Sequence, residues 1–431
     1  MPYQALPGFR DFPPEELAFR NHITAAWRRV ATRYGFTEYD GPPLEPLELY
    51  TAKSGDEIVT QLFEFVDKGG RHVALRPEMT PTFARMVSAH ASAMRKPIRW
   101  FSLPQLFRYE KQQRGRLREH FQLNCDLVGE PGPLADAEVI ALAVDVCREL
   151  GLGAEDFKVR LSDRRLMLAL LAARGVDGDT VGPAFAGIDK LERAGEPAIR
   201  ATLANAGLSQ AQIDGTLEVA AIRGRDALQS AARNEDISAT GFDQLLAALD
   251  AMGVGEYIEI DFSIVRGLAY YTGTVFELFD RQGKFRAICG GGRYDNLLAS
   301  LGGVDLPAVG FGLGDVVLGE LLRDRGLAPA AAASIECFVA GVTPEDRAAV
   351  LRLSRELRIA GIATEHSLSD VALGKQLKLA DARGARLAIV VGPDDRARGE
   401  VQLKDLHNKT QTAEPLDRVI ERCRTLLTSN G

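Results

Sequence analysis

"REHFQLNCDLVG", Arg118–Gly129, alternates Phe121, Leu123, Cys125 and Leu127 with His120, Gln122, Asn124 and Asp126. Successive side chains of a strand point to opposite faces, so the first set makes an apolar face and the second a polar, acid-bearing one. A sheet built on such a strand packs on the first face and works with the second. Upstream, "IRWFSLPQLFRYE" (98–110) reads as its hairpin partner across the polar loop "KQQRGRL" (111–117).

Working outward, "PPEELAFRNHITAAWRRVATRY" (13–34) opens with prolines and acids and then spaces Leu17, Ile23, Trp27 and Val30 for an amphipathic helix, which Gly35 ends. "GFTEYDGPPLEPLELY" (35–50) follows as a strand broken by Pro42-Pro43. Residues 163–252 turn rich in Ala, Leu, Arg and Asp with helical periodicity and read as a helical insertion. "YIEIDFSIVRGLAYYTGTVFELFD" (257–280) and "FRAICGGGRYDNLL" (285–298) then resume the strands of the first sheet. The composition break "GLAPAAAAS" (326–334) reads as a linker. Beyond it strands and helices alternate as in a small α/β domain. The expected division is a core in two parts, 1–162 and 253–325, the insertion 163–252, the linker 326–334 and a C-terminal domain 335–431.

With 431 residues, 46% of them hydrophobic and 26% charged, the chain has the composition of a soluble multidomain protein. Its formal charge of −7 excludes a global field that would hold duplex DNA, so any nucleic-acid site must be local. Five scattered cysteines form no CxxC and six histidines no HxxxH, which argues against a disulfide framework and a zinc site and for a reducing, cytoplasmic setting. No stretch has the length of a membrane span, and "MPYQALPGFRDFPPEE" (1–16) lacks the apolar core of a signal peptide.

Three stretches carry chemistry. Arg108, Lys111, Arg114, Arg116 and Arg118 stand within eleven residues of a hairpin whose acids are Glu110 and Glu119. Guanidinium forks match phosphate oxygens and keep their charge, so the run suits a polyphosphate or a nucleic-acid end, although a solvated hairpin has the same composition. In "LRPEMT" (75–80), Glu78 and Thr80 share parity and could face one pocket. "ICGGGRYD" (288–295) lets backbone approach a ligand closely, or makes a bulge or turn.

Taken in order, "LPGFRDFPPEE", "GFTEYDGPPLEPLEL", "LRPEMTPTFAR", "FRYEKQQRGRLREHFQLNCDLVG", "VRGLAYYTGTVFE", "GGGRYDNLL" and "KQLKLADARGARLAIVVG" resemble the histidyl-tRNA synthetases across almost the whole chain. The resemblance implies an α+β class II synthetase fold, an antiparallel sheet flanked by helices, with a helical insertion and a C-terminal α/β anticodon-binding domain. It also implies a cytoplasmic homodimer, with Pro42 near its interface, that uses ATP, magnesium, L-histidine and tRNA(His). By the same resemblance Arg108 holds the ATP α-phosphate, Glu110 the adenine end and Arg116 the β- and γ-phosphates. Glu78, Thr80, Gln122, Asp126, Tyr270 and Tyr271 bind histidine, and Arg266 acts on the reacting phosphate beside the histidine site. The C-terminal stretch 371–404, with seven Lys or Arg against four acids, is the expected tRNA contact.

Three departures from the family pattern stand out. His120 replaces the phenylalanine that stacks on adenine, Ala269 replaces an aspartate in the "RGLAYY" signature, and Val317 replaces the arginine of motif 3 in "AVGFGLGDVVLGELL" (308–322). Ala269 and Val317 favour a second reading, a non-catalytic histidine-sensing paralogue such as the regulatory subunit of ATP phosphoribosyltransferase, or an RNA-binding adaptor. Arg266, the motif 2 cations and the C-terminal domain oppose it.

Overall fold

The structure, a computed structural model, describes residues 3–51, 59–110, 115–265, 270–329 and 335–428. The chain forms two compact units, Met1–Pro329 and Ala330–Gly431.

Among the described residues the first unit holds a nine-stranded sheet: β1 (Thr37–Glu38), β2 (Ile98–Ser102), β3 (Gln105–Phe107), β4 (Glu119–Val128), β5 (Phe157–Asp163), β6 (Ile258–Ile260), β7 (Thr274–Asp280), β8 (Cys289–Arg293) and β9 (Ala308–Gly314). Their order is β1-β2-β4-β9-β8-β7-β5-β6, with β3 paired to β4. The centre is antiparallel, as expected, and a parallel pair closes each edge, β1 on β2 and β5 on β6. The hairpin partner of β4 is divided into β2 and β3 at Leu103-Pro104, since proline has no N–H to give a ladder.

Leu123, Cys125 and Leu127 of β4 are buried in the main core with Ile23, Trp27 and Val30 of the helix Pro14–Arg33 and Val139, Ile140 and Val144 of the helix Pro133–Glu149. The opposite face of the sheet is covered at one end by a second cluster, in which Phe83 and Val87 of the helix Thr80–His90 meet Val275, Tyr271 and Leu298. Burying a side chain of this size contributes about 1.5–3 kcal/mol, so both layers hold β4 firmly in register.

Six α-helices between Arg164 and Ala251 follow β5, and the chain returns to the sheet at β6. One sequence expectation is corrected here. "VRGLAYYTGTVFE" reads as a strand, but the ladder begins only at Thr274. Tyr270–Gly273 lies outside it because the segment bonds to another partner: Thr272 N–H donates to Arg293 O (2.8 Å), and Gly273 sits against the Arg165 and Arg293 side chains.

The second unit carries a five-stranded sheet of β10 (Cys337–Gly341), β11 (Thr364–His366), β12 (Leu387–Val391), β13 (Glu400–Asp405) and β14 (Thr410–Pro415), ordered β11-β10-β12-β13-β14. Its first three strands are parallel, as a βαβ pattern requires, and β13 and β14 are added antiparallel. All five cysteines are buried, and none forms a disulfide.

Candidate active site

The polar face of β4 meets a floor stripped of side chains. Asp126 lies opposite Gly310, Asn124 opposite Gly312 and Gln122 opposite Gly314. On the next strand Gly292 lies opposite Gly310 and Gly290 opposite Gly312. A Cβ on Gly310 would fall 2.2 Å from Asp126 Oδ1, and one on Gly312 would fall 2.7 Å from Gln122 Cδ. Only glycine lets these acids and amides lie flat across the sheet.

Over this floor the structure gathers Glu78, Thr80, Arg108, Gln122, Asp126, Tyr270 and Tyr271 into one pocket. Asn124 and Tyr294 join them. The Tyr270 hydroxyl donates to Glu78 Oε2 (3.3 Å), tying the signature segment to the start of the helix Thr80–His90. Arg108 Nε donates to Pro77 O (2.9 Å), and its terminal nitrogens take no protein hydrogen-bond partner among the described residues. A guanidinium pinned at Nε and open at its outer edge is ready for a bidentate anion.

Asp126 is 3% exposed, and its Oδ1 accepts a hydrogen bond from Tyr294 Oη. Burial pushes this carboxyl up to about 7, against the lowering effect of that hydroxyl. In the unfolded chain the group ionises near about 3.9. The native state therefore holds the proton more tightly, and stability falls as pH rises between those values. Asp126→Asn is expected to raise the melting temperature at pH 8 and leave it unchanged at pH 4, as scanning calorimetry at the two pH values would show.

His120, next on the polar face of β4, is pushed down to about 3 by burial and then by the charges of Arg108 and Arg10, so its ring is neutral at working pH. Arg116 Nη1 and Glu110 Oε2 pair with each other at 2.8 Å. Arg266 and Ala269 lie outside the described residues, as do Lys111 and Arg114.

Sequence reasoning missed two supporting arrangements. Arg10 bridges the buried Glu119 at 2.6 Å and Asp315 at 2.8 Å, and Asp315 Oδ1 also accepts from Phe121 N–H (2.9 Å), which fixes the end of β4. Arg293 is 1% exposed and places every N–H it has: on Asp136 (2.7 Å), Asp295 (3.1 Å), Glu130 O (3.1 Å) and Gly132 O (3.1 Å). Asp295 N–H in turn donates to Thr272 Oγ1 (3.0 Å), one residue beyond the tyrosine pair. An arginine inside a glycine-rich strand was the available signal.

Residues 8–315 match the family profile described as histidyl-tRNA synthetase, and residues 336–426 that described as anticodon binding domain. The chain is 48% identical over 425 residues to a histidine–tRNA ligase of Opitutus terrae, covering 97% of each chain, and 42% identical to one of Natronomonas pharaonis, covering 96% of each. Its fold is similar to that of histidyl-tRNA synthetase from Nostoc sp. PCC 7120, with a TM-score of 0.82 at 24% identity over 99% of both chains. It is also similar to a Bacillus halodurans protein described as an ATP phosphoribosyltransferase regulatory subunit/histidyl-tRNA synthetase, with a TM-score of 0.75 at 24% identity over 90% of this chain and 98% of that one.

Proposed function

Because the chain belongs to the histidyl-tRNA synthetase family, we infer that it is a histidine–tRNA ligase, which activates L-histidine with ATP to histidyl-adenylate and transfers the histidyl group to the 3′ end of tRNA(His). The observation that carries this reading is the convergence of Glu78, Gln122, Asp126 and Arg108 over a glycine floor. A regulatory paralogue would need none of the phosphate chemistry that an open Arg108 supports, and the ligases matched along the full chain favour the catalytic reading.

In this reading Glu78 and Thr80 take the ammonium of histidine, and Gln122 and Asp126 the imidazole, with Tyr270 and Tyr271 as walls. An oxygen of the histidine carboxylate attacks the α-phosphorus, the new O–P bond forms as the bond to pyrophosphate breaks, and charge grows on the phosphoryl oxygens. Arg108 stabilises that charge, and Arg266 joins it on the strength of the family signature. The terminal ribose hydroxyl of the tRNA then attacks the histidyl carbonyl, and AMP leaves. Magnesium would enter with the nucleotide as part of that substrate and would offset phosphate charge. Glu110 and Arg116 must exchange their mutual ion pair for the adenine end and the phosphate tail.

His120 takes the adenine stack as a neutral ring. A stacked pair contributes about 0.5–1.5 kcal/mol. His120→Ala is therefore expected to raise the KM for ATP by about tenfold and His120→Phe to hold it within about threefold, measured by pyrophosphate exchange.

Leu44, Phe65 and Val66 are exposed on the three-stranded sheet formed by Leu44–Pro46, His72–Leu75 and Phe63–Val66, beside the stretch that resembles motif 1. This apolar exposure supports the homodimer. Five cysteines that form no disulfide support a cytoplasmic location. No helix among the described residues is long and apolar enough to cross a membrane.

The reading is tested by pyrophosphate exchange and tRNA(His) charging with the purified full-length chain. Exchange that requires histidine, followed by charging, is expected. A folded protein that binds histidine but shows neither activity would overturn the ligase in favour of the paralogue.

A further inference from the structure

Val317 is buried in the first turn of the helix Asp315–Asp324, at the position where the class II pattern carries a cation. Its methyl groups offer a phosphate nothing. The structure places another cation at the same spot. Gly115, Lys284, Arg286, Val317 and Glu320 line one open recess beside the motif 2 hairpin. A Cβ built on Gly115 would lie 3.3 Å from Val317 Cγ2 and 3.9 Å from Arg286 Cδ, so the backbone just before Arg116 passes against both side chains. The loop comes that close with Gly115 at φ +74°, which a side chain would resist.

Arg286 extends from the loop between β7 and β8, four residues before the stretch "GGGRYDNLL", and is an exposed residue. Partial burial of its charged group, then the repulsion of Arg116 and Arg193, lower its pKa, with Glu110 acting the other way. Arg286 thus lies near enough to Arg116 to feel its charge; Arg116 pairs with Glu110 at 2.8 Å, and Glu320 adds a carboxylate to the recess. Two like charges held together are relieved by an anion that reaches both.

Resting on the ligase reading, we propose that Arg286 binds the β,γ end of the ATP triphosphate and takes over the role that an arginine at position 317 would have. The cation has moved from the helix to the facing loop, and Val317 is the small wall that leaves room for the Arg286 stem. The pyrophosphate that leaves after adenylation departs from between Arg116 and Arg286.

The test uses Arg286→Ala and Arg286→Gln in the full chain. The KM for ATP in exchange is expected to rise at least tenfold, and the KM for pyrophosphate in the reverse reaction to rise with it. The KM for histidine, and the affinity for a histidyl sulfamoyl-adenosine that lacks the β- and γ-phosphates, should stay within twofold. A KM for ATP within twofold of the parent would overturn the proposal, as would an equal loss of affinity for the sulfamoyl analogue, which marks a merely structural role. If the parent itself shows no exchange, the ligase reading fails instead. Calorimetric titration of parent and variant with ATP then still decides whether Arg286 holds the phosphates.

Discussion

Arg108→Ala is expected to lower the maximal rate of histidine-dependent pyrophosphate exchange by about 10³-fold, the loss typical of removing a fixed cation from a transferring phosphoryl group. The size follows from placement. Backbone holds this residue twice: its main-chain N–H donates to Arg118 O at 3.0 Å and its side-chain Nε to Pro77 O at 2.9 Å, leaving the outer guanidinium edge toward the pocket. No reorganisation is then needed when charge develops, so the stabilisation falls mainly on the rate rather than on substrate binding. Histidine affinity measured by calorimetry should change little. Arg108→Lys should recover only part of the rate, because an ammonium cannot make the planar two-point contact. An Arg108→Ala protein within tenfold of the parent rate would remove Arg108 from the catalytic assignment.

Arg293→Ala is expected to destabilise the first unit by about 3–5 kcal/mol, because it leaves the carboxylate of Asp136, itself 1% exposed, without its partner. Urea unfolding followed by tryptophan fluorescence isolates this effect, since both tryptophans, Trp27 and Trp100, belong to the first unit. The double variant Arg293→Met with Asp136→Leu should recover much of the loss, as apolar replacements of a buried pair often do. That double variant should still lose activity. Without the Arg293–Asp295 contact and the Asp295–Thr272 bond, Tyr270 and Tyr271 are no longer held over the glycine floor.

The legible parts of the site were those written in local patterns. The alternation in β4 identified Gln122, Asn124 and Asp126 as one face before any contact was known, and the pocket is built on that face. The density of cations at 108–118 marked the hairpin, and Arg108 lines the pocket beside that face. The glycine run at 290–292 was legible as a close approach but not as a floor, since its second half, Gly310 and Gly312, comes from a strand that only the sheet order brings alongside. "VRGLAYYTGTVFE" misled for the same reason. Its residues suit a strand, but the Thr272 N–H donates to Arg293 O and Gly273 O accepts from Arg164 N–H, partners that no period in the segment encodes.

By itself the sequence determined most of the elements, the apolar and polar faces of β4 and, through the order of its motifs, the family. These are properties of a residue and its near neighbours, and period-2 or period-3.6 patterns record them directly. Tertiary structure alone decided that Asp126 is buried deeply enough to hold a proton near about 7, that Arg10 and Arg293 anchor the two ends of the site, and that Arg286 stands beside Val317. Each of these depends on dielectric, charge or contact between groups up to some 300 positions apart along the chain, and such interactions fall off with distance in space, not with distance in sequence.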